Sequence, residues 1–329
     1  MNFITLFIAL VIAAITYGTP LLFGTLGEIL TEKSGNLNLG VEGIMFMGGA
    51  VGLGGVFYYE KAASSPSGVL AVVIGVVCAF IAGAIASLIF SFLTTTLRAN
   101  QNVTGLELSI FGTGIGQFIG EYMRVREGGY IAIGNVLKGY FQNSPFPGFL
   151  QKIPFIGGIL FGNSIFFYLA LVLAVVMFWY LNRTRSGLYL RSVGESPATA
   201  DAAGINVARY QYLATVTGGG ISAIGGMVYI TTIAGCVWNH EGLSGVGWLA
   251  VALVIFCMWR PLSAIWGSIL FGALMILYLR LVIPFVPTQL YKILPYVVTV
   301  IVLIMSSMRN NKEKQPPANL GLSYFREDR

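Results

Sequence analysis

Charge is what this chain has least of. Asp, Glu, Lys and Arg make up 10% of its 329 residues, against about 25% in an ordinary soluble domain. That is too little to cover a water-facing surface, so a soluble globular fold is excluded. Histidine occurs once, as His240, and cysteine three times, as Cys78, Cys236 and Cys257. There is no Cys-x-x-Cys pair and no ligand spacing around His240, so neither a metal site nor a cofactor is implied. Cys78 and Cys257 lie inside apolar runs and read as small packing residues. His-Glu-x-x-His is absent, and so is the Gly-x-x-x-x-Gly-Lys-Ser/Thr phosphate loop, which excludes ATP hydrolysis by that route. The net charge of +6 is not a nucleic-acid footprint, because no basic patch is interleaved with aromatics.

Apolar length is what the chain has instead. Apolar residues reach 56% and the mean hydropathy is +0.79. Runs of about 20 apolar residues are the signature of membrane-spanning helices. About nine runs qualify: Phe3–Leu26, Val41–Tyr58, Val69–Leu97, Val103–Tyr122, Ser164–Leu181, Tyr212–Ala234, Gly245–Trp259, Leu262–Ile283 and Thr288–Met308. The expectation is an all-α polytopic membrane protein, with residues 1–308 as one transmembrane domain and 309–329 as a tail. The 42 glycines suit helices that pack closely in lipid. The first run lacks a basic flank and is too long for a signal-peptide core, so it reads as a first span.

Lys and Arg set orientation. Lys33, Arg98, Arg183, Arg185, Arg191, Arg209, Arg260 and five tail residues fall on one side, 12 against 7 on the other. The richer side is expected to be cytoplasmic. It carries the longest polar stretch, Arg183–Gln211, and the tail. The loop 125–163, with Gly128-Gly129, Pro145, Pro147 and Pro154, falls outside. It reads as ordered irregular structure with a short interfacial helix, or as a plain connection. Two glycine-rich segments, Ser34–Gly40 and Leu243–Gly247, each precede a span and lie on opposite faces. That hints at an inverted repeat, common in transporters with broken helices.

A charge at the centre of a bilayer costs about 2.5–3.5 kcal/mol, so it usually faces a cavity or a partner. Glu42 and Glu107 fall within spans, and Asn36, Asn38 and Asn102 at span ends. With Trp238 they are the candidate substrate-pathway residues. Asn36, Asn38 and Glu42 have a second reading, as caps on free backbone groups at a helix start. Trp238 has one as an interfacial aromatic. Gly242-Leu243-Ser244-Gly245 matches the Gly-x-Ser-Gly of rhomboid-type proteases. Its only candidate base, His240, lies in the same loop, so the match is set aside.

Four blocks then carry a resemblance: Gly27–Gly43 (GEILTEKSGNLNLGVEG), Arg98-Ala99-Asn100-Gln101, Gly187–Val207, and Gly245-Val246-Gly247 through Leu253 with Pro261 and Gly267. The tail segment Leu320–Arg326 joins them. Together they resemble the permease subunits of bacterial ABC importers in the ribose/branched-chain amino acid permease superfamily, nearest its nucleoside branch, also labelled simple-sugar permeases. The third block is similar to that family's G-x-x-L-R-A-V-G-E-N-P segment ending in A-G-I. Ser192 and Ser196 depart from it. So do Glu107 and Ser109, which bear on the substrate more than on the fold. The resemblance covers most of the chain and little of 125–163. It implies an inverted-repeat helical core in the bacterial cell membrane. It also implies separate ATPase subunits, a second related permease chain and an extracytoplasmic substrate-binding protein.

The polar segment supports the same expectation physically. Pro197 suits a first helical turn, Ala198–Ala203 is a good helix former, and Gly204 is placed to stop it. A short helix over Pro197–Ala203 would lie at the cytoplasmic surface and seat in an ATPase. Arg191, Gly194, Glu195, Pro197, Ala203 and Gly204 are the candidate coupling residues. The rival is an ion-driven secondary transporter of a small polar solute, which needs grouped ionisable residues at mid-membrane. Glu42 and Glu107 alone do not supply that group, and a passive channel would show a filter or charge ring. The expected substrate is a nucleoside, with a simple sugar as the alternative.

Overall fold

The computed structural model describes residues 3–151, 153, 156–280, 293–301, 304 and 315–325. Helices dominate it. α1 (Phe3–Glu32), α2 (Val41–Ala62) and α3 (Gly68–Ser91) come first, and a π-helical turn, Phe92–Thr96, extends α3. α4 (Gln101–Arg126) follows, then three short helices, α5 (Asn135–Gln142), α6 (Gly148–Gln151) and α7 (Ile156–Phe161). α8 (Ile165–Arg183), α9 (Arg185–Glu195), α10 (Pro197–Ala202) and α11 (Val207–Val228) come next. A second π turn, Tyr229–Ile233, extends α11, and α12 (Val246–Phe256) and α13 (Pro261–Arg280) complete the series.

Among the described residues, 5 helices are long and apolar enough to cross a membrane: α1, α2, α3, α8 and α11, with their π turns. This is a multi-pass membrane protein. α4 has the length but is more polar, with Glu107, Gln117 and Glu121 along it. α12 and α13 are shorter apolar helices. Of the expected ninth span, Thr288–Met308, residues 293–301 and 304 are described and helical, and the rest lies outside the described residues.

The helices are apolar on both faces because lipid and core both accept apolar side chains. On α3 the outer stripe is Val69, Val73, Val77, Ile81, Ile85 and Leu88, the spacing of one helical face. Its inner stripe is small: Ala71, Gly75, Ala79, Ala82, Gly83 and Ala86. α11 is the hub, packed against α1, α2 and α3. Its glycines let three backbones close in, since small residues are what allow helices to approach in lipid. A methyl group on Gly218 would meet the Gly27 carbonyl of α1, one on Gly226 the Met45 carbonyl of α2, and one on Gly83 the Gly219 carbonyl of α11.

The two π turns share one bonding pattern. Thr94 and Thr231 are buried, and each donates its hydroxyl to the carbonyl four residues back, Phe90 at 2.8 Å and Met227 at 2.9 Å. Leu97 N–H reaches Phe92 O and Ala99 N–H reaches Leu93 O; Ala234 reaches Tyr229 and Cys236 reaches Ile230 in the same way. Each turn is followed by left-handed backbone, Arg98 at φ 57° after the first, Gly235 and Cys236 at 73° and 63° after the second.

The loop 125–163 is ordered where described. Leu137 and Phe141 of α5 are fully buried. Ala132 pairs antiparallel with Val237 as an isolated bridge, so the loop is fixed to the segment after α11.

Candidate coupling site and substrate pathway

The polar segment folds into an elbow of two helices. Thr184 caps α9 by accepting Gly187 N–H at 3.0 Å. Ser196 ends α9, and its hydroxyl faces Thr199 N–H at 3.4 Å as the cap of α10, with Pro197 in the first turn. Gly204, at φ +81°, stops α10, as its position in the sequence suggests. Asn206 then caps α11 through Arg209 N–H at 2.9 Å. The helix expected over Pro197–Ala203 therefore spans Pro197–Ala202. Val193, Ala200 and Val207 form a small buried cluster with Tyr210 and Tyr324 that seats the elbow on α11. Ala198, Thr199, Ala202, Ala203 and Gly204 remain exposed.

Gly194 faces inward. A methyl group there would collide with the Lys33 carbonyl oxygen, so the elbow rests directly on the α1–α2 connection. Residues 315–325 strap the two together. Asn319 N–H donates to Gly194 O at 3.0 Å and Gly321 N–H to Gly35 O at 3.1 Å. Ala318 N–H donates to Glu195 Oε2 at 3.2 Å, and Tyr324 OH to Asp201 Oδ2 at 2.9 Å. Gln101 ties the strap to α4, its amide reaching Leu322 O at 3.4 Å while its oxygen accepts Leu37 N–H at 2.7 Å. Arg98 stacks on Phe325 at 4.7 Å. Of the six coupling candidates, Glu195, Pro197, Ala203 and Gly204 lie at the elbow, Gly194 under it, and Arg191 in a cavity behind it.

The structure does not bring the six pathway candidates together. Asn36, Asn38 and Glu42 are buried. Asn36 donates to Thr215 Oγ1 at 2.9 Å and borders a cavity of about 420 Å³ beneath the strap. Asn38 accepts Gly40 N–H at 2.9 Å and donates its own N–H to Glu28 at 3.2 Å, while its side-chain amide nitrogen has no partner. Glu42 accepts Gly245 and Gly247 N–H at 2.6 Å each and Trp248 N–H at 3.3 Å. It sits in the first turn of α2 and caps α12, so one carboxylate faces the positive ends of two helices. The two glycine-rich segments compared in sequence thus meet at Glu42.

Asn102 and Glu107 are exposed on the outward stripe of α4, beside Val103, Leu106, Ile110 and Phe111. Trp238 is buried at the other end of the bundle. Its indole N–H reaches Glu121 at 3.3 Å, its ring fills the space over Gly120, and its N–H pairs with Ile131 O at 3.0 Å. His240 stands 3.6 Å from the same Glu121. The two sets of cations separate accordingly. Lys33, Arg98, Arg191 and Arg260 gather around the elbow and strap, while Lys61 pairs with Glu127 and Arg124 with Glu121 at the opposite end.

Two buried acids escaped the sequence reading. Glu28 and Glu32 lie on one face of the last turns of α1, and Glu32 accepts the Trp259 indole N–H. Their spacing of four inside a long apolar run was the available signal.

Comparison with known proteins places the chain. Residues 10–303 match the family described as the permease component of branched-chain amino acid transport systems. The chain belongs to that permease family. NupC of Lactococcus lactis subsp. cremoris, a nucleoside ABC transporter permease protein, is 31% identical over 93% of this chain and 94% of its own length. NupQ of Bacillus subtilis, a guanosine ABC transporter permease protein, is 31% identical over 92% and 93%. TsgC13 of Haloferax volcanii, a permease provisionally named for glucose, is 32% identical over 96% and 97%.

Proposed function

We propose that this chain is the membrane-spanning permease subunit of an ATP-driven ABC importer for nucleosides, in the cytoplasmic membrane of a bacterial cell. Its partners in this reading are ATPase subunits, a second related permease and an extracytoplasmic binding protein. Nine spans form an inverted repeat around the elbow. The matched π turns at the ends of α3 and α11 support that symmetry, as does the crossing of α3 and α11 at Gly83 and Gly219.

One observation carries the mechanism. The exposed face of α10 continues through Gly194 onto the backbone of the α1–α2 connection. ATP-driven closure of the ATPases pushes α10, and the push reaches α1 and the first turn of α2. There Glu42 joins α2 to α12, so the helices around the pathway tilt together and open outward. Glu107 and Asn102 on the outward stripe of α4 face the second permease across the pathway. A charge at that depth needs a polar or protein neighbour rather than lipid. Nucleosides are the substrate because two full-length relatives carry nucleoside names. A sugar is the second reading, from the relative named for glucose.

The test combines copurification from native membranes with uptake of labelled guanosine, uridine and glucose. Recovery of an ATPase and a second permease, with nucleoside uptake, is the expected result. Glu195→Lys or Gly204→Val should lower uptake at least tenfold with the ATPases still bound and active. Normal uptake in both variants would remove the coupling assignment, and glucose-only uptake would select the sugar reading. Reproducible recovery of the chain alone would favour an ion-driven transporter acting through Glu42 and Glu107.

A further inference from the structure

Behind the elbow lies a cavity of about 850 Å³, lined in part by the coupling candidates Arg191 and Glu195, whose basic lining the coupling motion does not explain. Three cations line it: Lys33 at the end of α1, Arg191 on α9 and Arg260 just before α13. Among the described residues, the only carboxylate in its lining is Glu195, which already accepts Ala318 N–H at 3.2 Å. Glu32 lies nearby but takes the Trp259 indole N–H. No ion pair joins Lys33 or Arg191 to a carboxylate among the described residues, and Arg191 Nε is buried without a partner. Burial holds the Lys33 ammonium below its ordinary pKa; Glu195 and Glu32 push it up, and Arg191 and Arg260 push it further down. Among the described residues, Lys33 and Arg191 thus carry positive charge that no ion pair neutralises.

The rest of the lining mixes the polar side chains Asn182, Ser192, Ser263 and Gln315 with apolar ones, and its apolar part lies toward two helices at the bundle surface. Phe178 and Leu181 of α8 face Leu262 of α13 across the cavity. Toward the bundle middle both helices turn apolar side chains outward, Val172, Val175, Val176 and Trp179 on α8, Trp266 and Leu270 on α13. The cavity therefore joins a basic, hydrogen-bonding end to a lipid-facing apolar seam. Its volume is that of an ordinary small-molecule site, and basic pockets between spanning helices take anionic headgroups.

We propose that this cavity binds the phosphate of an anionic phospholipid, held by Lys33, Arg191 and Arg260, with the acyl chains laid along the α8–α13 seam. A bound lipid would brace α9 against α13 beside the start of the strap at Gln315. The headgroup supplies a counter-charge to Lys33 and a partner to the buried Arg191 Nε.

Native mass spectrometry tests this on the full-length chain with its copurifying partners, titrated with phosphatidylglycerol or phosphatidylcholine. One phosphatidylglycerol should be retained at least tenfold more tightly than phosphatidylcholine. Lys33→Gln with Arg260→Gln should abolish that preference, and Lys33→Arg should preserve it and report on folding. Millimolar inorganic phosphate should not displace the lipid; displacement would overturn the lipid source and assign the cavity to a free phosphate. Equal retention of the two lipids, or undiminished retention in the double variant, would overturn the proposal. Loss of a partner chain instead of the lipid would do so too, assigning the cations to protein docking.

Discussion

α3 and α11 leave the bundle at opposite ends through turns with the same hydrogen bonds, yet different pieces of chain are fastened there. After the α3 turn, Arg98 and Gln101 hold the strap by a stacked Phe325 and by a hydrogen bond from the Gln101 side-chain amide to Leu322 O. After the α11 turn, Cys236 O accepts Ile133 N–H at 3.1 Å and Trp238 closes over Gly120, fastening the 125–163 loop. The first clasp is polar and partly exposed; the second is apolar and buried. The difference teaches that the turn is a local unit, set by a threonine hydroxyl competing for a helical carbonyl, while its attachment is set by what the remaining chain brings near. A loosely held strap beside the elbow suits a moving part. A buried clasp suits a rigid rim.

Breaking the crossing from which both turns extend should have the largest effect. Gly83→Leu drives a side chain into the Gly219 backbone at the α3–α11 crossing, where the obstacle is main chain and the cost exceeds the usual overpacking range of about 1–3 kcal/mol. Monodisperse protein in detergent should largely disappear, whereas Gly148→Ala, with nothing within 4 Å of its added methyl, should leave the yield unchanged. Breaking the clasps separately comes next. Trp238→Ala should lower stability by about 3–5 kcal/mol, the usual range for a buried tryptophan. Tyr324→Phe loses one half-buried hydrogen bond, about 1 kcal/mol, and should show as faster proteolysis of the strap with little change in melting temperature. An equal thermal shift in the two variants would contradict the contrast. The smallest effect sharpens the likeness. Thr94→Val and Thr231→Val should each cost about 0.5–1.5 kcal/mol, and differing shifts would mean the turns are alike only in geometry.

How much of this was legible beforehand depends on range. The elbow was readable to within one residue because Ser196, Pro197 and Gly204 act on their own neighbours. Glu42 was readable as a capping candidate, but its donors are more than 200 positions away at Gly245–Trp248. Arg191 sits in the polar segment by sequence, yet its side chain lines a cavity shared with α1 and α13. Trp238 read as an interface aromatic ahead of a pathway residue; its burial over Gly120 follows from a loop whose sequence carries little pattern. The matched turns were hidden in a short likeness, Phe92-Leu-Thr-Thr and Tyr229-Ile-Thr-Thr, at opposite ends of the bundle.

The sequence by itself determined that the chain lives in lipid, where the five long apolar helices α1, α2, α3, α8 and α11 fall, and where the polar elbow breaks. Each of these depends on a helix's own residues meeting solvent or hydrocarbon, a contact that needs no partner. Only the tertiary structure decided which carboxylate caps which helix, that the tail clasps the elbow to the α1–α2 connection, and that three cations share one cavity. Those outcomes depend on distances between residues far apart in the chain. Such distances exist only once glycine-lined helices have packed closely enough to create them.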